Sequence, residues 1–140
     1  MKVGQWRHQP TFFNSRFRFR LWLVTGVIGV TFWTDNLERM FDFYHDVLQL
    51  PLHSRHEAFI AFELGGIRFN IGCHSDVVGQ SKDPFRFMPH LGVDDIQIEA
   101  KRLADAGVEF IRQPEQETWG GWVATFKDPD GNVLQMMQLV

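Results

Sequence analysis

The stretch Asp35-Asn-Leu-Glu-Arg-Met-Phe-Asp-Phe-Tyr-His-Asp-Val-Leu48 decides the fold of this chain. Its apolar side chains recur at the spacing of one face of an α-helix. They are Leu37, Met40, Phe41, Tyr44, Val47 and Leu48. Thr34 or Asp35 is the predicted N-cap, because a hydroxyl or carboxylate oxygen can accept the first free backbone N–H groups. The stretch therefore predicts an amphipathic helix with one buried face.

Strand signals surround this helix. An apolar run at 27–33 precedes it, and three runs follow at 52–55, 58–64 and 67–73. Gly65-Gly66 separates the last two runs and suits a tight hairpin turn, since glycine adopts positive φ without steric cost. The order of elements in this half of the chain is βαβββ.

The same order recurs in the second half. Asp94-Asp95-Ile96 opens a shorter helical pattern with a carboxylate cap, and Gly107 follows it where a left-handed C-terminal cap belongs. A run at 87–93 precedes this helix, and runs at 108–113, 122–127 and 132–139 follow it. Asp128-Pro-Asp-Gly131 is a turn signal, so Asp128 and Asp130 are interpreted as turn residues rather than as catalytic carboxylates.

Together these elements predict one α+β domain of two tandem βαβββ modules, at 24–74 and 85–140, joined by a polar linker at 75–84. The modules should form a curved mixed sheet around a hollow, with the helices on the outer face. Residues 1–23 form an N-terminal extension in which Arg16, Arg18 and Arg20 alternate with phenylalanines. The extension is either disordered or an additional edge strand, and composition does not decide between the two.

Composition excludes several functional classes. With 140 residues, 44% of them apolar, the chain can bury one domain core. A formal charge of −3 gives no overall attraction to nucleic acid or to an anionic membrane. No apolar run reaches the roughly 20 residues of a membrane span. A single cysteine, Cys73, rules out an intrachain disulfide framework, so the expected location is cytoplasmic.

Alternation along each strand assigns its two faces, since successive side chains point to opposite sides. In the run 67–73, Ile67, Phe69 and Ile71 form an apolar side that packs on a helix, and Arg68 and Asn70 point the other way. Two such sheets can curve their free faces around a shared hollow. That hollow is the predicted ligand site.

These residues resemble the vicinal oxygen chelate superfamily, which includes glyoxalase I, extradiol dioxygenases, fosfomycin-modifying enzymes and bleomycin resistance proteins. The resemblance rests on the paired βαβββ pattern, the run 35–48, Trp119-Gly120 and Asp128-Pro-Asp-Gly-Asn132, and it covers residues 24–140. It implies the fold, but the activity has to be inferred from the residues of the site, because one fold hosts unrelated chemistries. It also implies a homodimer, since family members commonly pair modules across chains.

The metal-dependent members, as the resemblance implies, hold a divalent ion on His and Glu side chains from the first and last strands of each module. The corresponding positions here are Gly29, Asn70, Met88 and Gln135. Glycine has no side chain, a thioether prefers soft metals, and a neutral amide lacks the charge that offsets stripping water from a dication. We therefore expect no metal and no cofactor.

His90 is the nearest substitute ligand, since it lies two residues beyond Met88 on the same predicted strand face. One imidazole without a neighbouring carboxylate is a poor metal site. We interpret His90 as a hydrogen-bonding residue of the hollow. A displaced metal ligand and a histidine satisfied by the fold are the alternatives.

The predicted lining of the hollow combines aromatic, thioether, amide and cationic side chains. Besides Gly29, it consists of Thr31, Trp33, Arg68, Asn70, Met88, His90, Trp119, Trp122, Gln135 and Met137. Aromatic faces can stack a planar ligand, methionine adapts its shape, and the polar groups fix orientation. Arg68 would pair with a ligand carboxylate.

This lining favours a metal-free small-molecule-binding protein, similar to the bleomycin resistance branch, that holds a partly aromatic ligand; no catalytic residue is assigned. One alternative is a lyase, isomerase or dioxygenase in which His90 works with a metal or as a general base. A third interpretation is a non-catalytic interaction module whose hollow is filled by its own side chains.

Overall fold

A computed structural model describes residues 23–140. The first half contains β1 (Gly29–Thr34), α1 (Leu37–Phe41), β2 (Leu52–Arg55), β3 (Phe59–Leu64) and β4 (Ile67–Cys73). The second half contains β5 (His90–Gly92), α2 (Ile96–Asp105), β6 (Phe110–Gln116), β7 (Trp122–Lys127) and β8 (Val133–Gln138). Residues 1–22 of the predicted N-terminal extension lie outside the described residues.

Each half forms one four-stranded mixed sheet, with the orders β1-β4-β3-β2 and β5-β8-β7-β6. The first strand of each module runs parallel to the last, and the other pairs are antiparallel. The α+β class and the doubled βαβββ order are therefore confirmed. Among the described residues, β1 and β5 are both edge strands that pair on one side only.

The first helix differs from its predicted form at both ends. Its N-cap is Asn36, whose side-chain oxygen accepts the Arg39 N–H at 3.0 Å, because Thr34 still belongs to β1. After Phe41 the helix widens into one π-helical turn, Asp42–Val47. Phe43 on this wider turn is buried, although it was not predicted on the buried face, and Phe41 is only half-buried.

The second helix follows its sequence signals closely. Asp95 caps it by accepting the backbone N–H groups of Gln97 and Ile98, each at 3.1 Å. Gly107 follows the helix with φ of +88°, and Val108 N–H donates to the Leu103 carbonyl at 3.0 Å. This pair of features is the left-handed C-terminal cap that the glycine predicted. No helix within residues 23–140 is both long and apolar enough to cross a bilayer.

The strand β5 is much shorter than the predicted run at 87–93. It covers only His90–Gly92, although the Gln135 N–H donates to the Pro89 carbonyl at 3.0 Å just before it. Proline has no N–H to continue the ladder. Met88 therefore lies outside the strand, and the argument from alternation that placed it beside His90 does not hold.

One hydrophobic core joins the two modules on their helix sides. It contains Phe32, Leu37, Met40, Phe43, Tyr44, Ile60, Phe62, Phe69 and Ile71 from the first module, and Ile96, Ala100, Leu103, Ala124, Phe126, Leu134 and Met136 from the second. The rings of Phe43 and Phe126 lie 6.5 Å apart across the junction. Each module alone would be too small to bury a stable core, so packing the helix sides together supplies what each lacks.

A buried hydrogen bond crosses this junction, because the Tyr44 hydroxyl donates to Asp128 Oδ2 at 2.7 Å. Asp128 Oδ1 also accepts the backbone N–H groups of Asp130 and Asn132, each at 2.9 Å, so the carboxylate closes its own turn. Burial raises the pKa of Asp128, and the hydrogen bonds from Asn132 and Tyr44 oppose that rise. Burial, and then the charge of Asp128, raise the pKa of Tyr44 well above its usual value.

Replacing Tyr44 by phenylalanine should lower the free energy of unfolding by about 1–3 kcal/mol, because the buried Asp128 carboxylate loses one hydrogen bond, keeping the one from the Asn132 side chain, while the ring packing is kept. Urea denaturation measures this difference. Lys101→Gln is the matched control, since it removes an exposed side-chain hydrogen bond to Asp105 and should leave the midpoint unchanged. Equal midpoints for Tyr44→Phe and the wild type would show that the bond does not hold the modules together.

Tyr44 is the only tyrosine of the chain, so tyrosinate absorbance reports on this residue alone. Its raised pKa predicts no tyrosinate in the native protein at pH 10.0, where the unfolded chain is half ionised. The folded state keeps a proton that the unfolded state loses, so stability should fall as pH rises above 10.0. Ultraviolet difference spectra measure the ionisation, and Tyr44→Phe should lack this component of the alkaline loss.

Candidate functional site

The free face of the first sheet carries three rows of side chains across β1, β4 and β3. The strand register defines the rows, because residues paired between neighbouring strands point to the same face. They are Gly29, Arg68 and Glu63; Thr31, Asn70 and Ala61; and Trp33, Gly72 and Phe59. The rows are called the charged row, the amide row and the aromatic row.

The amide row lies in the middle of this face. The Asn70 side-chain nitrogen donates to Thr31 Oγ1 at 3.3 Å, and Asn70 is half-buried. Ala61, on the other side of Asn70, is buried and contributes no polar side-chain atom. The row can therefore offer a ligand directional hydrogen bonds but no charge.

The charged row contains an ion pair. Arg68 Nη1 lies 2.6 Å from Glu63 Oε2, and the two side chains are 41% and 45% exposed. The contact lacks hydrogen-bond geometry, since Arg68 Nη1 makes no hydrogen bond among the described residues. A partly exposed pair of this kind contributes little to stability, so a ligand carboxylate could displace Glu63 at small cost.

The aromatic row depends on a glycine. A Cβ at Gly72 would lie 2.6 Å from Trp33 Cζ3 and 2.9 Å from Phe59 Cδ2, so both rings occupy the space above this residue. The rings of Trp33 and Phe59 lie 6.4 Å apart, and His74 meets Trp33 edge-on at 5.4 Å. Trp33 is 45% exposed, which leaves part of its face available to a planar molecule.

The free face of the second sheet has a corresponding amide row. His90 pairs in register with Gln135, and Gln135 pairs with Thr125. The Gln135 side-chain nitrogen donates to Thr125 Oγ1 at 3.3 Å, as Asn70 does to Thr31. Met137 lies one row further along the same face. Each module therefore presents an amide that is oriented by a threonine hydroxyl.

Three predicted site residues, Trp122, Met88 and Trp119, do not lie on these faces. Trp122 pairs with Gln138 and packs against the shared core, because Val123 and Thr125 occupy the free face of β7. This placement differs from the prediction that Trp122 lies at the rim of the hollow. Met88 lies before β5 in an irregular segment, and it is half-buried.

Trp119 lies in the loop between β6 and β7, and it is 49% exposed. Its ring covers Gly121, where a Cβ would come within 1.8 Å of the indole. The other predicted residues lie on the free faces: Thr31, Trp33, Arg68 and Asn70 on the first sheet, and His90, Gln135 and Met137 on the second. The sequence prediction did not include three further residues of the free faces, Phe59, Glu63 and Thr125. The inward side chains Ile60 and Phe62 would have shown that Phe59 and Glu63 face outward.

Within residues 23–140, Trp33 and His90 are exposed on the two free faces. A cleft of about 530 Å³ lies instead on the helix side, between the two modules. Its lining includes Val30 of β1, Leu91 of β5 and Leu103 of α2, and His90 is the only predicted site residue that borders it. We call it the intermodule cleft.

The positions that correspond to metal ligands do not fit a divalent ion. Gly29, Asn70 and Gln135 lie on the free faces, and Met88 lies off the strand, so no carboxylate or imidazole occupies any of the four positions. Within residues 23–140, no three His, Cys, Asp or Glu side chains lie close enough to share a metal ion. These four positions therefore offer no site for a divalent ion.

Solved structures with the same arrangement of modules define the class of fold. A glyoxalase/bleomycin resistance protein/dioxygenase family enzyme from Burkholderia phytofirmans PsJN has a TM-score of 0.67 and 19% identity, over 81% of this chain and 98% of that chain. A glyoxalase/bleomycin resistance protein/dioxygenase from Nocardioides has a TM-score of 0.69 and 19% identity, over 86% and 87%. A lactoylglutathione lyase from Agrobacterium tumefaciens has a TM-score of 0.66 and 16% identity, over 82% and 94%.

The sequence itself also matches a known family. The profile of the Glyoxalase/Bleomycin resistance protein/Dioxygenase superfamily matches residues 27–136, and the chain belongs to this superfamily. The identities to the solved structures are low, so those structures show the fold alone. No curated protein matches the sequence.

Replacing Gly72 by alanine should lower the free energy of unfolding by about 1–3 kcal/mol, because the new Cβ must displace Trp33 and Phe59. Near-ultraviolet circular dichroism should change as the rings move. Gly92→Ala is the matched control, since it makes the same substitution in a strand with no heavy atom within 4 Å of the new Cβ. If the two variants were equally stable, Trp33 would be free to move aside, and the aromatic row would not be a fixed surface.

Proposed function

We propose that this protein binds a small molecule without a metal, as bleomycin resistance proteins do, and that the ligand lies on the free faces of the sheets. The aromatic row carries the proposal. Two rings share the space above Gly72, and the larger ring is nearly half exposed beside an amide that a threonine orients. Such a surface recognises shape, a π-face and hydrogen bonds, and it supplies no nucleophile.

The spacing of the rows describes the ligand. Neighbouring rows are two residues apart along each strand, so the aromatic row and the charged row are separated by roughly 13 Å. A planar aromatic group would stack on Trp33, and a polar group would bond to Asn70. A carboxylate would displace Glu63 from Arg68. The ligand class is therefore an elongated aryl carboxylate.

We infer that a second copy of the chain completes the site, as the family resemblance implies. Ligand pockets usually bury most of the ligand surface, and an open sheet face cannot do so alone. A homodimer that covers the first free face with the second free face of its partner would bring an Asn70 and a Gln135 into one hollow. The proposed location is cytoplasmic, because Cys73 is free and exposed.

The enzyme alternative requires His90 to act with a metal or as a general base. His90 is exposed and pairs in register with Gln135, and in the described part of the chain no carboxylate forms an ion pair with it. A general base is usually oriented by such a partner. The geometry therefore favours binding over catalysis.

Biphenylcarboxylate should raise the melting temperature of the purified protein, because a ligand that binds only the folded state stabilises it. Bicyclohexylcarboxylate, of similar length but without an aromatic face, should raise it less. Trp33→Ala should weaken binding about 3- to 10-fold, since an aromatic contact contributes about 0.5–1.5 kcal/mol, while Trp33→Phe should retain most of the affinity. Arg68→Gln should weaken binding of the carboxylate but not of biphenylcarboxamide.

Chelation distinguishes a metal-free binding protein from a metal-dependent enzyme. Protein treated with EDTA should keep the thermal shift, and elemental analysis should find no stoichiometric transition metal. A shift that disappears on chelation and returns with added Zn²⁺, Fe²⁺, Mn²⁺ or Ni²⁺ would overturn the metal-free proposal and favour the enzyme. Equal shifts from the aromatic and the saturated carboxylate would show that the aromatic row does not bind the ligand.

A further inference from the structure

His74 continues the free face of the first sheet beyond the aromatic row. It directly follows β4, and its N–H still donates to the Thr34 carbonyl at 3.4 Å, so the chain stays alongside β1. His74 is two residues beyond Gly72, which places both residues on the same side of the extended chain. The free-face positions along β4 and its extension are therefore, in order, Arg68, Asn70, Gly72 and His74.

The imidazole of His74 borders the aromatic row. Its ring centre lies 5.4 Å from that of Trp33, and the two ring planes meet at 67°. Phe59 lies 6.4 Å from the same tryptophan ring. Although Trp33 contacts both neighbours, it stays 45% exposed, and His74 is itself exposed. A planar group that stacks on Trp33 therefore lies beside an imidazole.

The backbone determines the hydrogen-bonding role of each ring nitrogen of His74. The Asp76 N–H donates to His74 Nδ1 at 3.1 Å. A ring nitrogen that accepts a hydrogen bond carries no proton, so the proton of the neutral imidazole lies on Nε2. Within residues 23–140, Nδ1 is the only nitrogen of this ring that makes a hydrogen bond. The Nε2–H group is therefore available to a ligand.

We propose that His74 is a ligand-binding residue, whose Nε2–H donates a hydrogen bond to an acceptor oxygen at the end of the ligand that is remote from its carboxylate. This inference rests on the proposed function, because it concerns the same ligand on the same face. Arg68 binds the carboxylate, Trp33 stacks on the aryl group, and His74 binds an oxygen attached to the far side of that group. The ligand class narrows to aryl carboxylates with a distal acceptor, such as a carbonyl.

The tautomer decides which chemical group is recognised. With the proton on Nε2, a ligand oxygen gains a hydrogen bond, whereas a ligand group that can only donate finds no acceptor on the ring. Arg68 and His74 also differ in kind, since a guanidinium pairs with a carboxylate and a neutral imidazole pairs with an uncharged acceptor. The two ends of the site therefore orient the ligand in one direction.

Paired probes test the proposed hydrogen bond. Biphenylcarboxylate with an acetyl group at the remote end presents a carbonyl oxygen, and the isopropyl compound has a similar shape without an acceptor. Calorimetry measures the Kd of both for the wild type and for His74→Phe, which keeps a ring against Trp33 but has no N–H. The affinity for the acetyl compound relative to the isopropyl compound should fall about three- to tenfold in His74→Phe, because one hydrogen bond is lost.

Two further variants separate this hydrogen bond from ring packing. His74→Gln keeps an N–H donor near the position of Nε2, and it should retain part of the preference for the acetyl compound. His45→Phe is the matched control, because it makes the same substitution in an imidazole that stacks on Phe41, with the ring centres 4.6 Å apart, in the π-helical turn. It should change neither affinity.

Nitrogen-15 NMR tests the tautomer without a ligand. At about pH 8, where an ordinary imidazole is neutral, the wild type should show the His74 proton on Nε2 and a bare Nδ1. The spectrum of His74→Gln identifies the signals, because it lacks them. A proton on Nδ1 would overturn the proposal, since Nε2 would then be an acceptor.

The binding results distinguish this proposal from the proposed function. If biphenylcarboxylate and both substituted probes fail to bind the wild type, the proposed function is wrong and this inference is wrong with it. If the probes bind but the acetyl preference is the same in the wild type and His74→Phe, His74 only packs against Trp33, and this inference alone is wrong. An equal loss of preference in His45→Phe would also overturn it.

Discussion

The hydrogen bond between Tyr44 and Asp128 is the contact on which the rest of the structure depends. It joins the helix of the first module to a turn of the second, inside a core to which both modules contribute. Because the helix sides are committed to that core, the opposite faces of both sheets remain free. The position of the candidate site is therefore a consequence of how the two modules are held together.

The free faces carry neutral amides where a metal site would need charged ligands. Asn70 and Gln135 lie at corresponding places in the two modules, and each donates to a threonine hydroxyl. A carboxylate at either place would bring a charge that could hold a cation, whereas a neutral amide brings a directional hydrogen bond. The chain thus keeps the repeated arrangement of its superfamily while the chemistry of its faces is different.

Much of the fold could be predicted from periodicity, because strand and helix patterns reflect burial directly. The strands Leu52–Arg55, Ile67–Cys73 and Trp122–Lys127 begin and end where the sequence indicated. The failures have local causes that periodicity does not contain. Pro89 shortens β5, and a π-helical turn follows the first helix, where Phe43 is buried. Asn36 is the N-cap, because Thr34 belongs to β1.

The site was less predictable than the fold, since it depends on which neighbours each strand acquires. Alternation placed Arg68 and Asn70 correctly on a free face, but it could not show that Glu63 would pair with Arg68. Trp122 was predicted at the rim of the hollow without reference to its strand neighbours. The strand register places its side chain against the core. The location of the cleft depends on the packing of both modules, which no local pattern encodes.

The absence of a side chain at Gly72 constrains how this surface can change during evolution. A large ring at position 33 and a side chain at position 72 compete for the same space. A lineage that replaces Trp33 by a smaller residue first removes the closer of the two rings that a side chain at position 72 would meet, and Phe59 remains as the other. The order of substitutions along this face is therefore constrained, and the two positions should covary in an alignment.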